Sequence, residues 1–182
     1  MWVLVKVRTD EGVVGVGEAY HGAGVHQIVV DPRLTRALIG KDPRNVNRLF
    51  KDMMGSMSAS GFYQGAVISA ISGIEMALWD IAGQACGQPI WRLLGGRYRD
   101  TIRVYADRHA GDKETPEAYV KTALAAEADG FDALKFDIDP LPQMLDRYSS
   151  SLTSGEIDHY VSVVTAMREA LNPATELAID AH

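Results

Sequence analysis

From residue 101 onward the sequence alternates between short strand-like stretches and longer helical ones, and this order limits the fold more than any other feature. TIRVYAD, FDALKFDID and TELAIDAH predict strands, because each is short and rich in apolar residues. Two helical stretches separate them, TPEAYVKTALAAEADG and TSGEIDHYVSVVTAMREAL. Strand, helix, strand, helix, strand is the order of a parallel sheet built from βαβ units. We therefore predict an α/β fold for residues 100–182.

Residues 1–99 follow a different pattern, which predicts a separate α+β domain. VLVKVR and VVGVGEA flank the turn TDEG and predict a β-hairpin. Asp42 and Pro43 are typical of the start of a helix. The stretch from Phe62 to Ala85 predicts a long buried helix, and a short helix is expected to begin at Pro89.

Composition excludes several classes of function. The chain of 182 residues is 47% hydrophobic and 23% charged, as in an ordinary soluble globular protein. Its net charge of −6 and its lack of a basic run argue against a nucleic-acid partner. The sequence contains no stretch of 18 consecutive apolar residues, the length that would predict a membrane span. Cys86 is the single cysteine, so an intramolecular disulfide is excluded. We expect a cytoplasmic protein with no membrane partner.

Side-chain alternation groups ionisable residues on two of the predicted strands. Lys135 and Asp137 share one face of their strand, and Asp180 and His182 share one face of the next. Such folds carry their chemistry at the carboxyl ends of parallel strands. A lysine that loses its proton on burial suits a general base, and a strand-end aspartate suits a divalent cation. The alternative interpretation is a structural Lys135–Asp137 ion pair, with Asp180 capping the next helix.

Five motifs run through nearly the whole chain in a fixed order: VRTDEGVVGVGEA, LIGKDPRNVNRLF, ISAISGIEMALWDIAGQACGQPIWRLLGG, ALKFDID and AIDAH. This order resembles the mandelate racemase/muconate lactonizing enzyme group of the enolase superfamily. The resemblance implies an α+β capping domain over residues 1–99. We expect its N-terminal edge to be clipped, because Met1 leads directly into a predicted strand. It also implies the first three strands of a (β/α) barrel over residues 100–182, incomplete because such a barrel has eight strands.

The resemblance implies a Mg²⁺-dependent dehydratase of sugar acids, which removes the proton next to a carboxylate and then releases the β-hydroxyl as water. Asp180 matches the first metal ligand, and Lys135 matches the first lysine of a Lys-x-Lys base motif. Asp137 stands where the second lysine would be, which disfavours two-base racemisation. His182 matches the acid of the Asp-x-His arrangement in sugar-acid dehydratases. Lys135, Asp137 and His182 are therefore the candidate catalytic residues.

Two loops supply candidate substrate contacts. AYHGAGVHQ matches the mobile capping loop of the family and offers Tyr20, His21 and His26. DPLPQMLDRYSSSLT is longer than a usual βα loop and offers Arg147 and Tyr148. The alternative for AYHGAGVHQ is a solvated loop without a role in binding. The alternative for DPLPQMLDRYSSSLT is a surface insertion.

The resemblance also sets the partners and the competing functions. It implies a small carboxylate substrate and a homo-oligomer, and it assigns the remaining metal ligands and a His-Asp dyad to later strands. The 182-residue chain alone is accordingly expected to be inactive. A racemase, epimerase or cycloisomerase of the same superfamily is the nearest alternative. An inactive fragment or binding module completed by a partner is the alternative from another class.

Overall fold

The first half of the chain forms a β-hairpin that packs against helices on one face. The computed structural model describes residues 2–20, 24–58, 65–108, 115–138 and 151–180. The chain divides into two compact units, residues 1–100 and 101–182. The described elements of the first unit are β1 (Val3–Arg8), β2 (Val14–Ala19), α1 (Val25–Val29), α2 (Pro32–Leu38), α3 (Val46–Met57), α4 (Ala66–Cys86) and α5 (Ile90–Leu93). The predicted hairpin is confirmed, since β1 and β2 pair antiparallel.

Glycines let the hairpin lie directly against α4. A Cβ atom on Gly15 would lie 2.0 Å from the carbonyl oxygen of Ala77, and one on Gly17 would lie 2.0 Å from that of Gly73. Two strand residues span roughly 6.6 Å and four helical residues about 6 Å, so the two spacings nearly match. Strand β2 therefore runs antiparallel to α4, with each glycine seated on one helical turn.

Polar side chains of α4 cover the outer edge of β2. Asp80 Oδ2 accepts a hydrogen bond from the Val16 amide at 2.9 Å. Gln84 Nε2 donates to the Val14 carbonyl oxygen at 2.9 Å. Unpaired backbone groups at a strand edge attract other strands, so these two side chains close that part of the edge.

Helix α4 is the central helix of the first unit. Its Ile71, Ile74 and Leu78 are buried beside Leu49 and Met53 of α3. The long buried helix predicted by the sequence is therefore confirmed from Ala66, while residues 62–64 lie outside the described residues. By length and composition alone α4 could cross a membrane, but the central helix of a protein core meets the same criteria.

The start of α3 differs from the sequence prediction. The helix begins at Val46, with Asn45 before it, and not at Pro43. Asp42 is therefore not its cap. Instead, the Asp42 carboxylate accepts a hydrogen bond from the Arg44 amide at 3.0 Å and pairs with the Arg44 guanidinium at 2.9 Å. These contacts hold Asp42 in the turn before the helix.

The second unit contains a three-stranded parallel sheet with a helix between consecutive strands. Its described elements are β3 (Ala106–Arg108), α6 (Pro116–Ala128), β4 (Ala133–Asp137), α7 (Ser154–Ala170) and β5 (Glu176–Asp180). Strand β4 lies between β3 and β5. An α+β unit followed by three parallel strands is the fold class that the sequence predicts, and it is confirmed.

The sheet buries one face against its helices. Leu134 and Phe136 of β4 are fully buried with Tyr119 of α6 and Met167 of α7. The Tyr119 ring meets the Phe136 ring edge-on, with ring centroids 5.8 Å apart. The predicted apolar face of β4 is therefore its core face, and the alternate residues are directed to the other side.

Threonine caps fix the start of both helices. Thr115 Oγ1 accepts a hydrogen bond from the Ala118 amide at 3.4 Å, as predicted. Thr153 and Glu156 form a capping box, in which the Glu156 carboxylate accepts from the Thr153 amide at 2.6 Å and Thr153 Oγ1 accepts from the Glu156 amide at 3.3 Å. The hydrogen bonds from the Thr153 amide and hydroxyl hold the pKa of Glu156 below its ordinary value.

Strand β3 is shorter than the predicted strand over residues 101–107. In its register with β4, Ala106 lies opposite Leu134. Residues 101–104 would therefore lie opposite residues 129–132, which come before the first residue of β4, where α6 has ended and the chain turns. None of the described strands lies beside them, and Ile102 and Val104 are 75% and 61% exposed.

Arg103 ties together the amino-terminal ends of β4 and β5. Its guanidinium lies 3.1 Å from the Asp132 carboxylate and 3.0 Å from the Glu176 carboxylate. All three side chains are more than half exposed. The contact therefore joins two neighbouring strands at the surface.

Candidate active site

The carboxyl-terminal ends of β3, β4 and β5 bring three aspartates and one lysine together. Asp107 lies opposite Lys135 in the β3–β4 pairing, and Asp137 lies opposite Asp180 in the β4–β5 pairing. These residues alternate with the buried apolar residues of β4, so they occupy the other face of the sheet. We call these four residues the strand-end cluster.

Lys135 contacts all three carboxylates of the cluster. Its Nζ atom lies 2.8 Å from Asp137 Oδ1, 3.0 Å from Asp180 Oδ2 and 3.2 Å from Asp107 Oδ1. The Lys135 and Asp137 side chains are only 16% and 12% exposed, whereas those of Asp180 and Asp107 are 47% and 53% exposed. An ammonium group carries three protons, so each carboxylate can accept one.

The carboxylates keep Lys135 protonated. Hydrogen bonds to Asp137 and then to Asp180 raise the pKa of Lys135 above its ordinary value, burial opposes this rise, and the Asp107 contact adds to it. Burial alone would lower the pKa of a lysine, which is the direction that suits a general base. Because the attraction of the carboxylates is stronger than the effect of burial, Lys135 is an ammonium ion in this arrangement.

The backbone beneath the cluster is held at several points. The Tyr119 hydroxyl donates to the Asp137 carbonyl oxygen at 3.2 Å, and the Ile138 amide donates to the Asp180 carbonyl oxygen at 3.2 Å. The ion pair between Lys135 and Asp137, which the sequence suggests as a structural alternative to a catalytic role, is also present. Asp137 is therefore the most buried carboxylate of the cluster, while Asp107 and Asp180 form its more exposed side.

The other predicted site residues are distributed over the chain. Tyr20, in the first unit, is 74% exposed, and its carbonyl oxygen accepts a hydrogen bond from Ser69 Oγ at 2.9 Å. His26 lies in α1 and is exposed. Four predicted residues lie outside the described residues: His21, Arg147, Tyr148 and His182.

Asp107 was not among the predicted site residues, although the sequence contains a signal for it. Residues 106–107 repeat the pattern of an apolar residue followed by an acid that ends each of the other two strands. Period-two alternation along the first predicted strand places Asp107 on the face opposite to Ala106. This alternation is the sequence signal that indicates a place for Asp107 in the cluster.

Asp180 suits a divalent cation as one ligand among several. Its carboxylate is about half exposed and offers the oxygen ligands that Mg²⁺ prefers. Within the ranges that the structure describes, no group of three or more His, Cys, Asp or Glu side chains could hold a metal ion. The described residues thus supply one candidate ligand and not a complete shell.

A cavity of about 370 Å³ in the second unit lies on the other face of the sheet. Its lining includes Tyr160 and Val164 of α7 and Ile179 of β5. Side chains on that face belong to the apolar side of the strands. This cavity is therefore separate from the strand-end cluster.

Comparisons of sequence and of structure point to the same protein family. The family model described as mandelate racemase / muconate lactonizing enzyme, N-terminal domain, matches residues 1–95. A structure of a mandelate racemase/muconate lactonizing enzyme-like protein from Rubrobacter xylanophilus has a TM-score of 0.89 and 39% identity, over 100% of this chain and 50% of that one.

Two curated relatives carry names of specific activities. A D-xylonate dehydratase of Haloferax volcanii is 44% identical over 100% of this chain and 44% of its own length. A D-galactonate dehydratase of Xanthomonas oryzae pv. oryzae is 35% identical over 100% of this chain and 45% of its own length. The chain therefore spans somewhat less than half the length of the curated relatives it matches.

Proposed function

This chain belongs to the mandelate racemase/muconate lactonizing enzyme family of the enolase superfamily, and we propose that it is the N-terminal part of a sugar-acid dehydratase. The reaction removes the α-proton of a polyhydroxy acid and then releases the β-hydroxyl as water, giving a 2-keto-3-deoxy acid. The observation that carries this proposal is the strand-end cluster, in which a lysine and a half-exposed aspartate meet where parallel strands end. The names of the curated relatives support the substrate class.

We assign Lys135 an electrostatic role in this reaction. Removing an α-proton places negative charge on the substrate carboxylate, and a fixed positive group nearby stabilises that charge. Lys135 is held as an ammonium ion by its three carboxylate partners. Lys135 can act as the general base that the sequence predicts only when some of these carboxylates no longer pair with it. Asp137, mostly buried beside it, anchors the ammonium group.

Asp180 is proposed as one metal ligand. A bound Mg²⁺ would polarise the substrate carboxylate and make the α-proton more acidic. The further ligands would come from other parts of the whole protein. His182 is proposed to give a proton to the leaving hydroxyl, and Tyr20, His21, His26, Arg147 and Tyr148 remain proposed substrate contacts. A cytoplasmic homo-oligomer is part of the same proposal.

The proposal is tested with the whole protein and a panel of aldonic acids. Product formation is followed by NMR in D₂O with added Mg²⁺, which reports both α-proton exchange and loss of the hydroxyl. We expect a 2-keto-3-deoxy acid from at least one substrate, and loss of most of the turnover in Lys135→Ala. Lys121→Ala, which removes an exposed lysine on α6, is the control and should keep full activity.

Three results would count against the proposal. Exchange of the α-proton without loss of the hydroxyl would favour a racemase or epimerase. Inactivity of the wild-type protein toward every sugar acid, or full activity of Lys135→Ala, would remove the basis for a dehydratase that uses the strand-end cluster.

A further inference from the structure

Each strand of the sheet supplies its own contact to the Lys135 ammonium group. Asp137 lies on the same strand as Lys135, while Asp107 and Asp180 reach it from the two neighbouring strands. With β4 in the centre, the two flanking aspartates hold the Nζ atom from opposite sides. Its lateral position between the strands therefore depends on both of them.

The two flanking contacts are not equivalent in the proposed reaction. Asp180 is the proposed metal ligand, so its carboxylate has a second cation to bind. Asp107 is held in register directly opposite Lys135, and its neighbour Arg108 pairs with Asp129 at 3.2 Å. Since adjacent strand residues point to opposite faces, that pair lies on the other side of β3 and does not compete for Asp107.

We infer that Asp107 is a positioning residue that keeps the Lys135 ammonium group in place when Asp180 is engaged by another partner. Asp107 acts through Lys135 and is not assigned a contact with the reacting atoms. This inference rests on the proposed function, because it gives Lys135 a role that depends on its exact position. The inference follows from the positions of three aspartate side chains, one from each strand, around one ammonium group.

The side chain of Asp107 is more than half exposed, so its loss should affect activity more than folding. In the whole protein, we expect Asp107→Ala to lower kcat about ten-fold, the effect of losing one charge-assisted hydrogen bond, with KM changed less than about two-fold. Asp107→Asn keeps a hydrogen-bond acceptor and should recover most of this loss. In a Lys135→Ala background, Asp107→Ala should cause no additional loss.

A spectroscopic measurement tests the same contact without using activity. In protein labelled with ¹³C-lysine, the two Hε protons of a fixed Lys135 side chain should have distinct chemical shifts, and Asp107→Ala should bring those shifts together. Asp129→Asn is the matched control, because it removes an ion pair of the same 3.2 Å length from the same strand. It should leave both kcat and the Lys135 resonances unchanged.

Three results would overturn the inference: an equal loss of kcat with and without Lys135, a change in KM alone, or unchanged Lys135 resonances in Asp107→Ala. The first two would indicate that Asp107 contacts the substrate independently. If the wild-type protein showed no dehydratase activity, the proposed function would fail, and the NMR measurement would still decide whether Asp107 positions Lys135.

Discussion

Replacement of Gly17 by alanine should destabilise the first unit strongly. Its added Cβ atom would lie 2.0 Å from the carbonyl oxygen of Gly73 and 2.9 Å from the amide nitrogen of Ala77. Both atoms belong to the backbone of α4, so no side-chain rotation can move them away. An ordinary contact begins near 3.4 Å, and β2 and α4 would therefore have to separate by about 1.4 Å.

The energetic cost follows from that displacement. Overpacking a core costs about 1–3 kcal/mol when side chains can adjust, and here the overlap is with a rigid helix. Separation would also open the close packing at Gly73, where a Cβ atom would lie 3.0 Å from atoms of Val5 and Ala19. We therefore expect the free energy of unfolding of this unit to fall by about 3 kcal/mol or more. For a unit of roughly 100 residues, this corresponds to a Tm lower by about 12 °C or more.

Tryptophan fluorescence is the appropriate assay, because the three tryptophans of the chain, at positions 2, 79 and 91, belong to the first unit. Gly55→Ala is the matched control. A Cβ on Gly55 would meet no atom within 4 Å, and alanine is favoured over glycine inside a helix by about 0.5–1 kcal/mol. The same chemical change should therefore raise Tm at Gly55 and lower it at Gly17. A Tm for Gly17→Ala within about 2 °C of wild type would refute the close-packing explanation.

Two further predictions concern the second unit. Thr153→Ala removes the cap of α7 and should lower the free energy of unfolding by about 1 kcal/mol in urea titrations at neutral pH. Hydrogen bonds from the Thr153 amide and hydroxyl lower the pKa of Glu156, and alanine removes only the hydroxyl bond to the carboxylate. The part of the stabilisation that comes from that bond is present above the ordinary glutamate pKa and is lost as pH falls through the folded value; an undiminished difference from wild type in acid would contradict it. Phe136→Ala should lower the free energy of unfolding by about 3–5 kcal/mol, measured by circular dichroism. Tyr98→Ala, which removes an exposed aromatic side chain of the first unit, should change stability by less than about 0.5 kcal/mol.

Much of the second unit could be predicted because its signals are local. Period-two alternation separates Leu134 and Phe136 from Lys135 and Asp137, and burial confirms this separation. Thr115 caps its helix as predicted. Such patterns are written within a few consecutive residues, so they can be recognised without knowledge of the tertiary structure.

Features that depend on distant neighbours could not be predicted in the same way. The charge state of Lys135 depends on Asp107 and Asp180, which lie on other strands. Helices α1 and α2 are only 5 and 7 residues long, and helices of that length depend on tertiary burial. Val25 and Leu34 provide it, as each is buried in the core of the first unit. The position at which β4 begins likewise explains why residues 101–104 do not extend β3.

The two ends of the parallel sheet should respond differently to ionic strength. Arg103 joins the amino-terminal ends of β4 and β5 with its side chain 51% exposed, whereas Lys135 joins the carboxyl-terminal ends of all three strands at 16% exposure. Salt screens exposed charge pairs much more than buried ones. As salt concentration rises, the sheet should therefore loosen first at the Glu176 amide and last at the Ile138 amide. High salinity would thus spare the end of the sheet where the proposed chemistry takes place.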